Sequence, residues 1–180
     1  MKSALLWFGG RSRALQAAIT VSLLLALTLS STLTESASAA ASDKLIVVSL
    51  SEQHLYAYEG DTLVLSTPVT TGRPDMPTPI GTYPIQTKES PHLFVSLYPP
   101  DTPYYYSPIS SQYALYFSPP GYYIHDSSWR PSYGPGTNNW HIDAWGRRRT
   151  GSLGCINVPG DEMKALYDWT PIGATLMVEP

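Results

Sequence analysis

The chain has 180 residues, 43% of them hydrophobic, and a formal net charge of −3. That length suits one domain, and the acidic balance gives no sign of the extended basic patch that a nucleic-acid partner would want. A single cysteine excludes an internal disulfide framework, so an apolar core has to hold the fold together.

The first residues read as an address. Lys2, Arg11 and Arg13 form a basic start, residues 14–29 are almost wholly apolar, and the small residues that follow offer cleavage after Ala39 or Ala41. This is the grammar of a secretory signal peptide over 1–41. Its apolar stretch is shorter than the ~20 residues a spanning helix needs, which favours cleavage over anchoring. The protein is therefore expected to be secreted or in the cell envelope, meeting a membrane only if the leader is retained. Residues 42–180 then form the domain, with eight basic and thirteen acidic residues, a net of −5.

Within that domain, residues 45–50 form a β-branched run that predicts a buried strand. After a turn at 51–53, residues 54–58 alternate, with Leu55 and Ala57 on one face and Tyr56 and Tyr58 on the other. Glu59-Gly60-Asp61 predicts a hairpin turn, because glycine supplies the positive φ such loops require. A third strand is expected over 62–71, with Pro68 placing it at an edge or bulge. A loop stiffened by Pro74, Pro77 and Pro79 leads to a fourth strand over 81–87. Residues 90–120, rich in Pro, Ser and Tyr, are too aromatic for a disordered linker and too proline-dense for a long helix. They predict short strands and a large ordered loop, which either covers a groove or packs on the sheet. A strand at 121–125 and a long Trp- and Gly-rich loop follow, in which Trp140 and Trp145 are read as anchors packed on the sheet. A helix over 161–168, capped by Asp161, and a closing strand over 174–178 complete the chain. The sum is a mostly β fold, a sandwich or open barrel, with one short helix after the cysteine.

Cys155 is the chemical centre of this pattern. An unpaired thiol in an exported protein is either a small buried hydrophobe or a reactive group, and the Gly-flanked polar turn Gly151-Ser152-Leu153-Gly154-Cys155 is a poor place to bury one. His125 ends the strand run Tyr122-Tyr123-Ile124-His125, and Cys with His is the minimum set for thiolate catalysis. An imidazolium nearby would lower the thiol pKa. Gly154 and Cys155 offer backbone N–H donors for an oxyanion, and a side chain at Gly154 would crowd that oxyanion. The hydroxyl of Ser152 braces the turn. Asp126 can hold the other nitrogen of the imidazole through its carboxylate or its carbonyl. His precedes Cys here, the reverse of papain-like proteases. Sortases share the order but require an arginine after the cysteine, and none follows Cys155. His54 and His92 are read as surface or strand-edge residues without a role.

Three blocks in order give the chain a family resemblance: Thr71-Gly72 with Pro77-Thr78-Pro79-Ile80-Gly81, then Ile124-His125-Asp126-Ser127-Ser128-Trp129, then Ser152-Leu153-Gly154-Cys155-Ile156-Asn157. Over 45–178 it resembles the L,D-transpeptidases of bacterial cell walls, the YkuD-type fold. The resemblance implies that Cys155 is the nucleophile and His125 the base, oriented by the main-chain carbonyl of Asp126. It implies that Trp129 and Leu153 line the substrate groove and that Asn157 supports the cysteine turn. The reaction implied is attack on the third residue of a peptidoglycan tetrapeptide stem, release of D-alanine, and transfer of the thioester to an amine as a 3→3 cross-link. No cofactor or metal is implied, the protein is read as a monomer, and carbapenem-type inhibitors are implied as ligands. The family's histidine two residues before the cysteine is Leu153 here, and His141, in the long loop, is a candidate to replace that ring. Two other functions stay open: an L,D-carboxypeptidase using water as acceptor, and a non-catalytic wall-binding module.

Overall fold

The structure, a computed structural model, describes residues 43–180; the expected leader lies outside the described residues. The architecture is the mostly β one expected, built on two main sheets. β1 (Lys44–Ser49), β2 (His54–Glu59) and β3 (Thr62–Pro68) form an antiparallel meander. β1 also pairs in parallel with β13 (Thr175–Glu179), which pairs with β4 (Gly81–Pro84), giving the order β3-β2-β1-β13-β4. The second sheet has the order β12-β9-β8-β5, built from Ile156–Val158, Tyr122–Asp126, Ala114–Ser118 and Thr87–Glu89. Two small hairpins, β6 (His92–Phe94) with β7 (Ile109–Ser111) and β10 (His141–Ile142) with β11 (Arg148–Arg149), stand apart from both sheets.

The alternation read in β2 holds, with Leu55 and Ala57 buried and the two tyrosines half-exposed. Together with Ile46, Val48, Leu176 and Val178 from the first sheet, they meet Leu115, Phe117, Ile124 and Ile156 from the second in one apolar core. Such stacked sheets bury their facing side chains in a shared layer. Pro68 lies on β3, an outermost strand, where its missing N–H breaks no ladder.

Three expectations need correction. The fourth strand is two strands in different sheets. Pro84 has no N–H with which to continue the first ladder, and beyond it the chain crosses over: Ile85 donates to the Ala174 carbonyl and Gln86 to that of Tyr116. Ile85 itself is fully buried between the sheets. Asp161 does not cap the helix α1 (Gly160–Trp169). The N-cap is Pro159, without a side-chain bond, and Asp161 and Glu162 sit in the first turn, where their charge suits the helix dipole. Trp140 and Trp145 are not packed on a sheet. They are 63% and 53% exposed at the β10–β11 hairpin. Each lies instead under a neighbouring guanidinium, Arg148 over Trp140 at 4.6 Å and Arg147 over Trp145 at 4.1 Å, an arrangement that keeps cation and ring together in water.

Candidate active site

The cysteine turn and the histidine strand are joined by register. β12 runs parallel to β9 with Ile156 opposite Ile124 and Asn157 opposite His125. One residue before β12, Cys155 therefore falls beside Tyr123, whose backbone N–H reaches the sulfur, and diagonal to His125. Side chains at such diagonal positions share a face and sit within reach of each other. Both residues line one groove of about 340 Å³, a volume ordinary for a small-ligand site. Phe94 packs on the His125 ring at 4.4 Å between centroids, and Trp129 lies at 5.8 Å. Residues 103–107 line the same groove, so of the two readings of the aromatic segment the one as a cover fits.

The turn is held from outside by the proline-marked loop. Thr70 and Asn157 exchange both backbone hydrogen bonds, Ser152 donates to the Thr71 carbonyl, and Arg73 donates to that of Ser152. Thr78 accepts from the Gly72 amide and donates its hydroxyl to the Gly154 carbonyl at 2.9 Å. A Cβ on Gly151 would come within 2.6 Å of the Thr71 oxygen, so only glycine lets these two segments meet.

His125 is buried, and its Nδ1 donates to the Asp126 carbonyl at 2.8 Å. The Asp126 carboxylate points elsewhere, accepting from the Ser111 hydroxyl and the Tyr113 amide at 2.7 Å each. Of the two oxygens that could orient the ring, the carbonyl does so. Asn157 donates from Nδ2 to His125 Nε2 at 2.9 Å, and its Oδ1 accepts from Arg130 Nε at 2.7 Å. Arg130 also donates to the Thr150 carbonyl.

The electrostatics differ from the expected imidazolium–thiolate couple. Burial pushes the Cys155 thiol up to about 11, against the Tyr123 N–H that favours the anion. Burial also drives His125 down to about 4, opposed by the Asp126 carbonyl and assisted by the charges of Arg130 and His92. Both groups rest neutral at pH 7, because neither charge is solvated where it would form.

Two readings of the turn change. The Gly154 amide donates to the Ser152 hydroxyl at 3.0 Å, and that hydroxyl donates to the Cys155 carbonyl at 2.5 Å. Ser152 braces the loop as expected, and in doing so occupies Gly154 as an oxyanion donor. Glycine is required at 154 because φ is +108° and a Cβ would overlap the Tyr122 ring; an oxyanion is not the cause. Leu153 lines the groove beside Cys155. His141 does not join them. Its Nδ1 donates to the Asn139 carbonyl within its own loop, and the groove's lining does not include it. His54 bonds Ser66 at the sheet edge, whereas His92, bonded to Glu89, packs on Phe94 and Tyr123 beside the site. Sequence reasoning missed Arg130, Arg73 and Phe94. The first follows Trp129 directly and could have been noticed, but nothing local marks Phe94, which enters from a separate hairpin.

Residues 43–178 match the family of the L,D-transpeptidase catalytic domain, YkuD. The chain belongs to that family. Among solved structures it is similar to a cysteine-to-serine mutant of the Enterococcus faecium L,D-transpeptidase, with 31% identity over 76% of this chain and 50% of that one, and a TM-score of 0.63. L,D-transpeptidase 3 from Mycobacterium tuberculosis with a faropenem-derived adduct shares 21% identity, covering 77% of this chain and 60% of that one, with a TM-score of 0.61. LdtMt1 in complex with imipenem shares 23%, over 76% and 59%, with a TM-score of 0.63. The last two likenesses are ones of fold. The chain spans half the length of the Enterococcus faecium protein it matches. No curated protein matches it.

Proposed function

We propose that the chain is an exported L,D-transpeptidase in which Cys155 is the nucleophile and His125 the base, acting on peptidoglycan tetrapeptide stems in the cell envelope. The observation that carries this is the shared groove: an unpaired thiol and a histidine whose Nδ1 is tied to a backbone carbonyl, leaving Nε2 as an acceptor. Family membership supports the reaction class.

In the first half-reaction the Cys155 sulfur attacks the carbonyl carbon of the stem's third residue as its proton passes to His125 Nε2. Because the pair rests neutral, that transfer accompanies attack, as general-base catalysis requires. The Asn157 amide must turn off Nε2 for this to happen. The Cys155 N–H is the turn's remaining donor for the oxyanion, since Ser152 holds that of Gly154. Collapse breaks the amide bond, His125 returns the proton to the leaving D-alanine amine, and a thioester remains. An acceptor amine then attacks the thioester, His125 takes its proton, and the thiol is released. Trp129 and Leu153 line the peptide's path.

A β-lactam of the carbapenem type should acylate the same sulfur, as expected of a thiol in this family's groove. Intact mass after carbapenem treatment is expected to show one adduct, absent in Cys155→Ala. With a tetrapeptide stem and an amine, D-alanine release and a cross-linked product are expected, and both should vanish in that variant. Hydrolysis alone would establish the carboxypeptidase. An unmodified thiol in a protein that still binds wall would establish the binding module and overturn the transfer reading.

A further inference from the structure

We propose that the groove holds a carboxylate subsite centred on Arg130 and flanked by Arg73, which selects donor peptides carrying a carboxylate beside the scissile bond. This rests on the transfer reading for its substrate, while its charge argument stands on the groove alone. The described residues are acidic overall, eight cations against thirteen carboxylates. Yet three of the eight cations, Arg73, Arg130 and Arg149, line the groove, and no Asp or Glu does.

The three arginines are not equivalent. Arg149 is neutralised by Asp143, Nε to Oδ2 at 3.1 Å. Arg73 has Asp75 at 3.1 Å, but that carboxylate is 58% exposed, and the guanidinium lies over the Tyr104 ring at 5.0 Å. The Arg73 Nε is buried without a well-directed hydrogen bond. Arg130 has no carboxylate within 4.0 Å among the described residues; its Nε and Nη1 reach only the neutral oxygens of Asn157 and Thr150. It is desolvated enough for its guanidinium to be pushed down to about 10.

A cation taken out of water is normally balanced by an anion. Here the structure supplies none, and the cation faces the cavity that also holds the thiol. The missing partner is therefore an anion of the ligand. A guanidinium fork matches a carboxylate in a bidentate way. On a stem peptide two carboxylates lie within one residue of the bond to be cut: the terminal one on the leaving residue, and a side-chain one on the third residue when that residue carries it. Either would be read by the same chemistry. A stem with a carboxamide in its place would leave Arg130 buried and unbalanced, which is how such sites discriminate.

The test uses full-length protein with Cys155→Ala, so that stems bind without turnover, and measures affinity calorimetrically. Four synthetic tetrapeptides combine a terminal carboxylate or carboxamide with a third residue bearing or lacking a side-chain carboxylate. Removing the recognised carboxylate is expected to weaken binding by roughly 10- to 100-fold. The arm that loses affinity names the source. In Arg130→Gln on the same background that ratio should fall to near one, and in Arg73→Gln it should fall part of the way. Arg130→Lys, which keeps the charge without the fork, should retain an intermediate ratio, and serves if the Gln variant does not fold. Equal affinity for acid and amide in both arms, no binding of any stem, or an undiminished ratio in Arg130→Gln would overturn the subsite. An acid preference in a protein whose native thiol takes neither stem nor carbapenem would sustain the subsite and sink only the transfer reading.

Discussion

Hydrogen bonds run without a break from Arg130 through Asn157 and His125 to the Asp126 carbonyl. Each link dictates the next. A guanidinium can only donate, so the Asn157 oxygen faces Arg130 and its amide nitrogen faces His125. His125 must then accept at Nε2 and carry its proton on Nδ1, the tautomer a base at Nε2 requires. The same burial that orders these residues keeps the couple uncharged, with the thiol near 11 and the imidazole near 4. Since a raised thiol pKa leaves the anion scarce until pH exceeds it, alkylation of Cys155 by iodoacetamide should rise about tenfold per pH unit from pH 7 to pH 10. A plateau through neutral pH would instead indicate a preformed thiolate–imidazolium pair. The cysteine and the histidine were legible as residue types in polar, Gly-marked or strand-end settings. Their protonation was not, because desolvation depends on neighbours such as Phe94 that are distant in sequence.

At the scale of elements, α1 shows how strands complete a helix. Its last turn contains no basic residue, and the carbonyls there would otherwise lack partners. Lys88 on β5 donates to the carbonyls of Tyr167 and Thr170 at 2.6 Å each, and Lys44 on β1 donates to that of Trp169 at 3.0 Å. One cation comes from each sheet, and both favour the negative end of the helix dipole. Lys88→Met keeps the aliphatic stem and removes both bonds. It is expected to lower stability by roughly 1–2 kcal/mol in urea unfolding, with Cys155 reactivity little changed. The helix was readable from Pro171 and Gly173 beyond its end, but its capping was not. Pro159 and the lysines act through geometry that no local pattern encodes. The same holds for residues 70–78, whose prolines announce a stiff loop without revealing that it clasps the cysteine turn.

The described residues form one core between two sheets, with the groove where the second sheet meets the proline-marked loop. Because His125 is sealed into this assembly uncharged, its cost in acid is borne by the entire fold. Its native pKa is lowered to about 4 from the ordinary 6.5. Between those values the unfolded chain binds a proton that the native state refuses. The stabilisation is thus fully present above pH 6.5, declines as pH falls, and is gone below about 4, a difference of about 3 kcal/mol. Urea midpoints of wild type and His125→Asn should show it: the wild type loses that much more stability than the variant between pH 7 and pH 4. A constant gap between them would place His125 in contact with water. Strand alternation, turn glycines, the edge proline and the three motif blocks are local, so order along the chain alone sufficed for the fold class and the family, and it singled out Cys155 and His125, which line one groove. The crossover at Ile85, the exposed tryptophans, the occupied Gly154 amide and the unbalanced Arg130 depend on which distant groups exclude water and meet each other's hydrogen bonds. Those are properties of packing in three dimensions, and only the folded chain could assign them.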